Sequence, residues 1–272
     1  MKWQTRMFPQ GAGSIGFDQL AGQCWQNPGE RSLLLFQGWY LTLGGGLALV
    51  RGNAEFLLYV GVLLILTLTL LQLHSRCRFP LSLLWGMSLW GLAHLVGGLT
   101  PVPAAWAATD EAPVLYSCML IPGYIKYDNL VHGLGSAMLM LLCWLIVKSG
   151  LARELGVPAH SIRPRWYLLA VAGLMALGLG ALNEVLEFVA VLTIPETNVG
   201  GYENTGWDLV ANLGGVLAGA SFISLEARCA LPAVPDFAIP EAHAGTHQLV
   251  RRAEERTAGS VNWGVASACL DS

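Results

Sequence analysis

Polar and apolar positions in this chain are segregated, with long apolar runs separated by short polar segments. The runs lie near 32–50, 54–73, 81–100, 125–148, 166–194 and 205–226. Each approaches the ~20 residues that an α-helix needs to cross the hydrocarbon core of a bilayer. The pattern predicts an all-α fold, a polytopic membrane helix bundle of about six transmembrane helices. Gly44-Gly45-Gly46 weakens the first run as a helix, because glycine loses the most backbone freedom on ordering. The fifth run is long, so its helix is expected to tilt or to lay its Trp166 end in the interface.

The segments between the runs set domain limits and orientation. Residues 1–31 are polar and carry Gly, Gln and Pro-Gly turn signals, which reads as a cytoplasmic loop or short interfacial structure. They lack the apolar stretch of a cleavable signal. Residues 32–226 form the transmembrane domain. Residues 227–272 are spaced by Pro232, Pro235 and Pro240 and are expected to be a largely disordered cytoplasmic tail, with a short helix allowed at 242–257. Residues 101–124 make a long loop with Pro101, Pro103 and Pro122, and with Trp106 and Tyr116 as expected interface anchors. Basic residues alternate between rich and poor segments: Lys2, Arg6 and Arg31, then Arg51 alone, then Arg76 and Arg78, then none before Lys126. Lys148, Arg153, Arg163 and Arg165 follow, then a loop with none, then Arg228, Arg251, Arg252 and Arg256. The positive-inside rule places both termini in the cytoplasm and the 101–124 loop outside.

Composition supports the membrane class and narrows the partners. The chain is 54% hydrophobic and 12% charged, with a mean hydropathy of +0.52, against about 25% charged in soluble domains. A net charge of -3 without a basic stripe excludes nucleic acid and leaves membrane lipids as the expected partners. The six cysteines show no CxxC or zinc-ligand spacing, and only Cys118 falls in an outer loop, so no internal disulfide is expected. Oligomeric state has no sequence signal.

Against this background, Tyr127–Gly135 stands out, because it places an acid, an amide and an imidazole at the start of a membrane run. Positions four apart share a helix face. Asp128 and His132 therefore share one in the fourth helix with Gly135, and Asp208 and Asn212 share one in the sixth with Gly215 and Gly219. The fifth helix adds Asn183, Glu184 and Glu187, and the third adds His94. The topology puts all of these in the outer halves of their helices, with Glu55 at the rim. Gly215-x-x-x-Gly219 suits close helix contact, so the polar faces are expected to point inward. Tyr127-Asp-x-x-x-His-x-x-Gly135 and Trp207-Asp-x-x-x-Asn-x-x-Gly215 have one layout, which a duplicated hairpin would leave and which chance also produces.

Three readings fit the constellation. His94, Asp128, His132, Glu184, Glu187 and Asp208 are the donor types of a divalent-metal site, with imidazole and carboxylate suiting zinc or another transition metal. Such a site could hydrolyse a lipid-type substrate, with Glu184 and Glu187 as catalytic candidates. Chains of Asp, Glu and His also relay protons or ions, although no matching set lies in the inner half. The third reading is a hydrogen-bond network that fixes helix packing, to which Asn183 and Asn212 would belong in any case. Asp128 and Asp208 are also placed to cap their helices. His74 is expected at an interface, His160, His243 and His247 in solvent, and Asn204 as a loop capping residue.

Several short motifs carry a family resemblance between Ala54 and Ala220: His94-x-x-Gly97-Gly98 followed by Val102-Pro103, Tyr127-Asp128-x-x-Val131-His132 with Gly135, Glu184-x-x-Glu187, and Trp207-Asp208-x-x-x-Asn212 with Gly215. In these the chain resembles the YjdF-type bacterial inner-membrane proteins and, more distantly, the VanZ-like membrane proteins. It departs from them in Leu99-Thr100-Pro101, where aromatic residues are usual, and in Gly133, where Phe is usual. The resemblance implies a multi-pass protein of the bacterial inner membrane and an envelope setting. It implies no mechanism, because the family's role is undefined.

Overall fold

The computed structural model describes residues 27–109, 111–195 and 197–229. The chain divides into two units after Arg228, and nearly all the described residues belong to the first. The expectations for residues before 27, for the tail beyond 229 with its allowed helix, and for His243 and His247 lie outside the described residues.

Among the described residues, six helices are long and apolar enough to cross a membrane: α1 Pro28–Val50, α2 Ala54–Cys77, α3 Leu81–Leu99, α4 Tyr127–Leu155, α5 Trp166–Thr193 and α6 Tyr202–Cys229. α1 begins four residues before the apolar run, because Asn27 Oδ1 accepts the Gly29 N–H at 3.0 Å and Pro28 presets the first turn. The Gly44-Gly45-Gly46 stretch does not break it. A methyl group on Gly44 would lie 3.1 Å from Leu95, so glycine here is contact surface for α3. α2 begins at the Asn53 cap, which accepts the Phe56 N–H at 3.0 Å. It runs past residue 73 to a left-handed cap at Arg78.

That extension corrects the expectation for His74. It is buried, its Nδ1 accepts the Phe79 N–H at 3.1 Å, and its Nε2 lies 3.4 Å from Glu30 Oε1. A buried imidazole with partners on both nitrogens ties the end of α2 to the start of α1. α4 and α5 have 29 and 28 residues. At 1.5 Å per residue each is about 42–44 Å long, against about 30 Å of hydrocarbon. The Trp166 end of α5 is exposed.

The 101–126 segment is more structured than a Pro-rich loop. It holds 3-10 turns at Ala104–Trp106 and Leu115–Ser117, then an antiparallel pair of β1 Met119–Ile121 and β2 Ile125–Lys126. Gly123 supplies the positive φ of the turn. Trp106 is exposed, but Tyr116 is not a surface anchor. It packs beside His94 and donates its hydroxyl to the His94 carbonyl at 2.6 Å. Burial, and then the nearby Asp128 carboxylate, push its phenol well above the ordinary range, which keeps it a donor. Tyr127 likewise donates to the Ala93 carbonyl at 3.1 Å.

α4 is the central helix. Trp90 of α3 donates to the Val131 carbonyl at 3.0 Å. On another side, α6 packs backbone to backbone, with Gly215 against the Gly133 carbonyl and Gly219 against Ala137 and Met140. One apolar cluster joins Met140, Trp144, Ala172, Ala176 and Val216 from α4, α5 and α6. Another joins Tyr40, Phe56, Tyr59 and Leu95 from α1, α2 and α3. Gly98 lies flush against the Phe56 ring.

Gly215→Leu is expected to push α6 off α4, lowering the thermal unfolding midpoint by an amount equivalent to about 2 kcal/mol or more. Gly214→Leu, one residue away and facing open space, should leave the midpoint almost unchanged in the same detergent.

Candidate functional site

His132 is the hub of a buried acidic cluster. α4 places Asp128 one turn before it, with Asp128 Oδ1 3.6 Å from His132 Nε2. α5 brings Glu184 Oε1 to 3.4 Å from His132 Nδ1, and Glu187 Oε1 to 3.8 Å from Nε2. α6 adds Asp208, which is fully buried. The donor atoms fall into two sets that share the imidazole, Asp128/His132/Asp208 and His132/Glu184/Glu187, each within 4.8 Å. Three helices thus meet at one level of the bundle, the end that carries the β1–β2 hairpin.

An inner layer of amides orients the acids. Asp208 Oδ1 accepts from Asn129 Nδ2 at 2.9 Å, and its Oδ2 accepts from Asn204 Nδ2 at 2.6 Å. The same Asn204 amide lies 3.4 Å from Asp128 Oδ2. Lys126 donates to Asn204 Oδ1 and, at 2.9 Å, to Glu111 Oε1, so its charge lies at the rim and is shared with an acid from the loop. Asn129 Oδ1 accepts the Lys126 N–H at 2.9 Å, which closes a cap on α4. Asn183 Nδ2 donates to Glu187 Oε1 at 2.7 Å, and Ser136 Oγ donates to Asn212 Oδ1 at 2.6 Å.

Several buried atoms make no well-formed hydrogen bond with any described residue: both Glu184 oxygens, His132 Nε2, His94 Nδ1 and Asn212 Nδ2. Buried polar atoms without partners cost on the order of 1–3 kcal/mol each. Four carboxylates are gathered here around the His132 imidazole, with the Lys126 ammonium at the rim.

The structure therefore brings together Asp128, His132, Glu184, Glu187 and Asp208, with Asn183 and Asn212 beside them. His94 joins neither donor set. It stands in an aromatic cage of Tyr59, Tyr116 and Trp90, with ring centroids 5.6, 5.5 and 6.1 Å away. Glu55 is not at a rim. It is buried, and its Oε2 accepts the Asn198 N–H at 2.8 Å, pinning α2 to the α5–α6 connection. Asn204 is not a loop cap but a first-turn residue of α6, inside the cluster. The four-residue spacing that pairs Asp208 with Asn212 also pairs it with Asn204, so that signal was available. Lys126, Asn129 and Ser136 had no comparable signal, because their roles depend on α6 crossing α4.

Fold and site together define an all-α, multi-pass membrane protein with a buried acid–imidazole centre. Residues 32–228 match the family described as "Predicted membrane protein (DUF2238)", and the chain belongs to that family. No curated protein and no solved structure matches the chain.

Replacing Asn204 by Leu removes the donor to Asp208 Oδ2. The expected cost is about 1–3 kcal/mol of stability, read as a lower unfolding midpoint. Ser221→Ala, which removes only an exposed hydroxyl bonded within its own helix, should shift the midpoint little.

Proposed function

We propose that the cluster is a divalent-metal site, with His132 and carboxylates drawn from Asp128, Glu184, Glu187 and Asp208 as ligands. The observation that carries this reading is the spacing around His132. Its Nε2 sits 3.6 and 3.8 Å from Asp128 Oδ1 and Glu187 Oε1, and its Nδ1 3.4 Å from Glu184 Oε1, too far for good hydrogen bonds but close to the separation of donors on one zinc-sized ion bound at about 2.0–2.2 Å; one nitrogen would ligate, and the carboxylate at the other would orient the ring. The Glu184 carboxylate, buried and without a close hydrogen bond, adds a donor that an ion would satisfy. A mixed imidazole and carboxylate set suits zinc or another transition ion. His94 is left out of the ligand set, since its ring faces aromatic neighbours.

A bound ion would polarise a water or a substrate carbonyl or phosphoryl group. Glu184 or Glu187, whichever does not ligate, is placed to accept a proton, so the proposed activity is hydrolysis of a lipid or lipid-linked substrate. The alternation of basic residues supports cytoplasmic termini and an outward-facing site. The YjdF-type and more distant VanZ-like motifs support a place in the bacterial inner membrane, acting on the envelope, by analogy. Transport of a small solute or ion has less support, because among the described residues no carboxylate and no imidazole beyond His94 and His132 lines the cavity, whose inward part holds Leu70, Leu73, Leu142 and Ile146 with Gln37, Thr67 and Thr69.

Metal analysis of the purified protein tests this. About one transition-metal ion per chain is expected, falling to background in His132→Ala and in the double variant Glu184→Gln/Glu187→Gln, with a chelator lowering the unfolding midpoint of the wild type. Metal-free protein whose stability ignores the chelator would leave the cluster as a packing network and end the metal reading.

A further inference from the structure

A cavity of about 250 Å³ runs inward from the cluster between the helices, larger than the ~150 Å³ apolar cavity that accommodates benzene. Along α4 its wall extends from Val131 to Ile146, a rise of about 22 Å. The wall changes character along that length. Near the cluster it carries His132, His94 and Asn183, and at mid-depth Tyr40, Ser88, Ser136 and Asn212. Beyond Ser136 it extends for ten residues of α4, about 15 Å, along Leu139, Leu142 and Ile146, and α1 and α2 add Leu70 and Leu73 with the polar Gln37, Thr67 and Thr69.

Two observations identify an occupant. Seven buried polar side-chain atoms lack a well-formed hydrogen bond, and they belong to six residues, of which all but Glu184 line this cavity. The Tyr40 and Ser88 hydroxyls, which lie beside each other, and the Asn212 amide are 2–3% exposed and all line it. Uncharged donors and acceptors of this kind recognise ester or hydroxyl oxygens, not a bare hydrocarbon. The second observation is the mouth. Leu66 of α2 and Leu179 and Leu182 of α5 line the cavity yet are 46%, 42% and 53% exposed. In a membrane-spanning bundle, such leucines border a side opening onto lipid.

We propose that this cavity is a binding site for one hydrocarbon chain of an ester- or hydroxyl-bearing lipid that enters sideways from the bilayer between α2 and α5. The chain lies among Leu70, Leu73, Leu139, Leu142 and Ile146. The oxygen-bearing part lies against Tyr40, Ser88 and Asn212, one to two turns from His132. This names the substrate class of the proposed metal site and rests on that reading only for what happens to the head group.

The test is photo-crosslinking of the full-length protein in nanodiscs with lauroyl glycerol carrying a diazirine on its chain. Expected labels fall on peptides containing Leu70, Leu139 and Leu142 and are competed away by excess unlabelled lauroyl glycerol. Leu66→Trp, at the lipid-facing mouth where folding is not at risk, and Leu139→Trp, inside, should each reduce competable labelling about tenfold while metal content is unchanged. Tyr40→Phe and Ser88→Ala should weaken competition severalfold without loss of stability. Labels confined to outward positions such as Leu64 and Leu192 and insensitive to competitor would overturn the proposal, as would full competable labelling in both tryptophan variants. His132→Ala separates the two ideas, since it should lose metal and keep the label. Metal without competable label defeats this proposal, and competable label without metal defeats the metal site.

Discussion

Gathering acids around a single imidazole inside an apolar bundle is the constraint on which the rest of the structure depends. Carboxylates withdrawn from water must be hydrogen-bonded, neutralised or paired. The protein meets part of that demand with neutral donors. Asn129 and Asn204 hold Asp208 between them, and Asn183 holds one oxygen of Glu187. Lys126 stays at the edge, shared with Glu111 and Asn204. Glu184 has only looser company, the His132 Nδ1 at 3.4 Å and the Asn183 amide.

The cluster exists only because backbones can approach. Gly215 and Gly219 let α6 lie directly on α4 near Gly133 and Ala137, which brings Asp208 within reach of Asn129 and Asn212 within reach of Ser136. Gly180 does the same on α5, where a methyl group would press on the Asn212 amide. On the other flank the contact is aromatic: Phe56 fills the face of Gly98, Tyr116 fills that of Gly97, and Trp90 fills that of Gly135. The glycines of the shared Asp-x-x-x-[His/Asn]-x-x-Gly layout therefore serve different partners, an indole for Gly135 and a backbone carbonyl for Gly215. The segment between α3 and α4 closes this end through the Tyr116 and Tyr127 hydrogen bonds to α3.

The acid–imidazole cluster at one end and the cavity beneath it adjoin at His132, Asn183 and Asn212. This arrangement separates the roles of the two imidazoles that sequence alone groups together: His132 faces the acids, while His94 faces tyrosines, Trp90 and the cavity.

By itself the sequence determined the class and the helix count, because apolar runs of bilayer length admit almost no other fold. It also singled out Asp128, His132, Glu184, Glu187 and Asp208, which are conspicuous in segments so poor in charge and which the fold gathers at one level. Helix ends were less legible. Asn27-Pro28 and a partnered His74 extend α1 and α2 beyond their apolar runs, and these are local polar contacts that hydropathy does not register. Only the tertiary structure decided which groups meet. It placed His94 outside the donor sets, buried Glu55 and Asn204, and recruited Lys126, Asn129 and Ser136. The reason is geometric: helical periodicity assigns a residue to a face and a depth, but the rotation of each helix against its neighbours is set by where a glycine admits a backbone or a ring, and that is a property of pairs of helices.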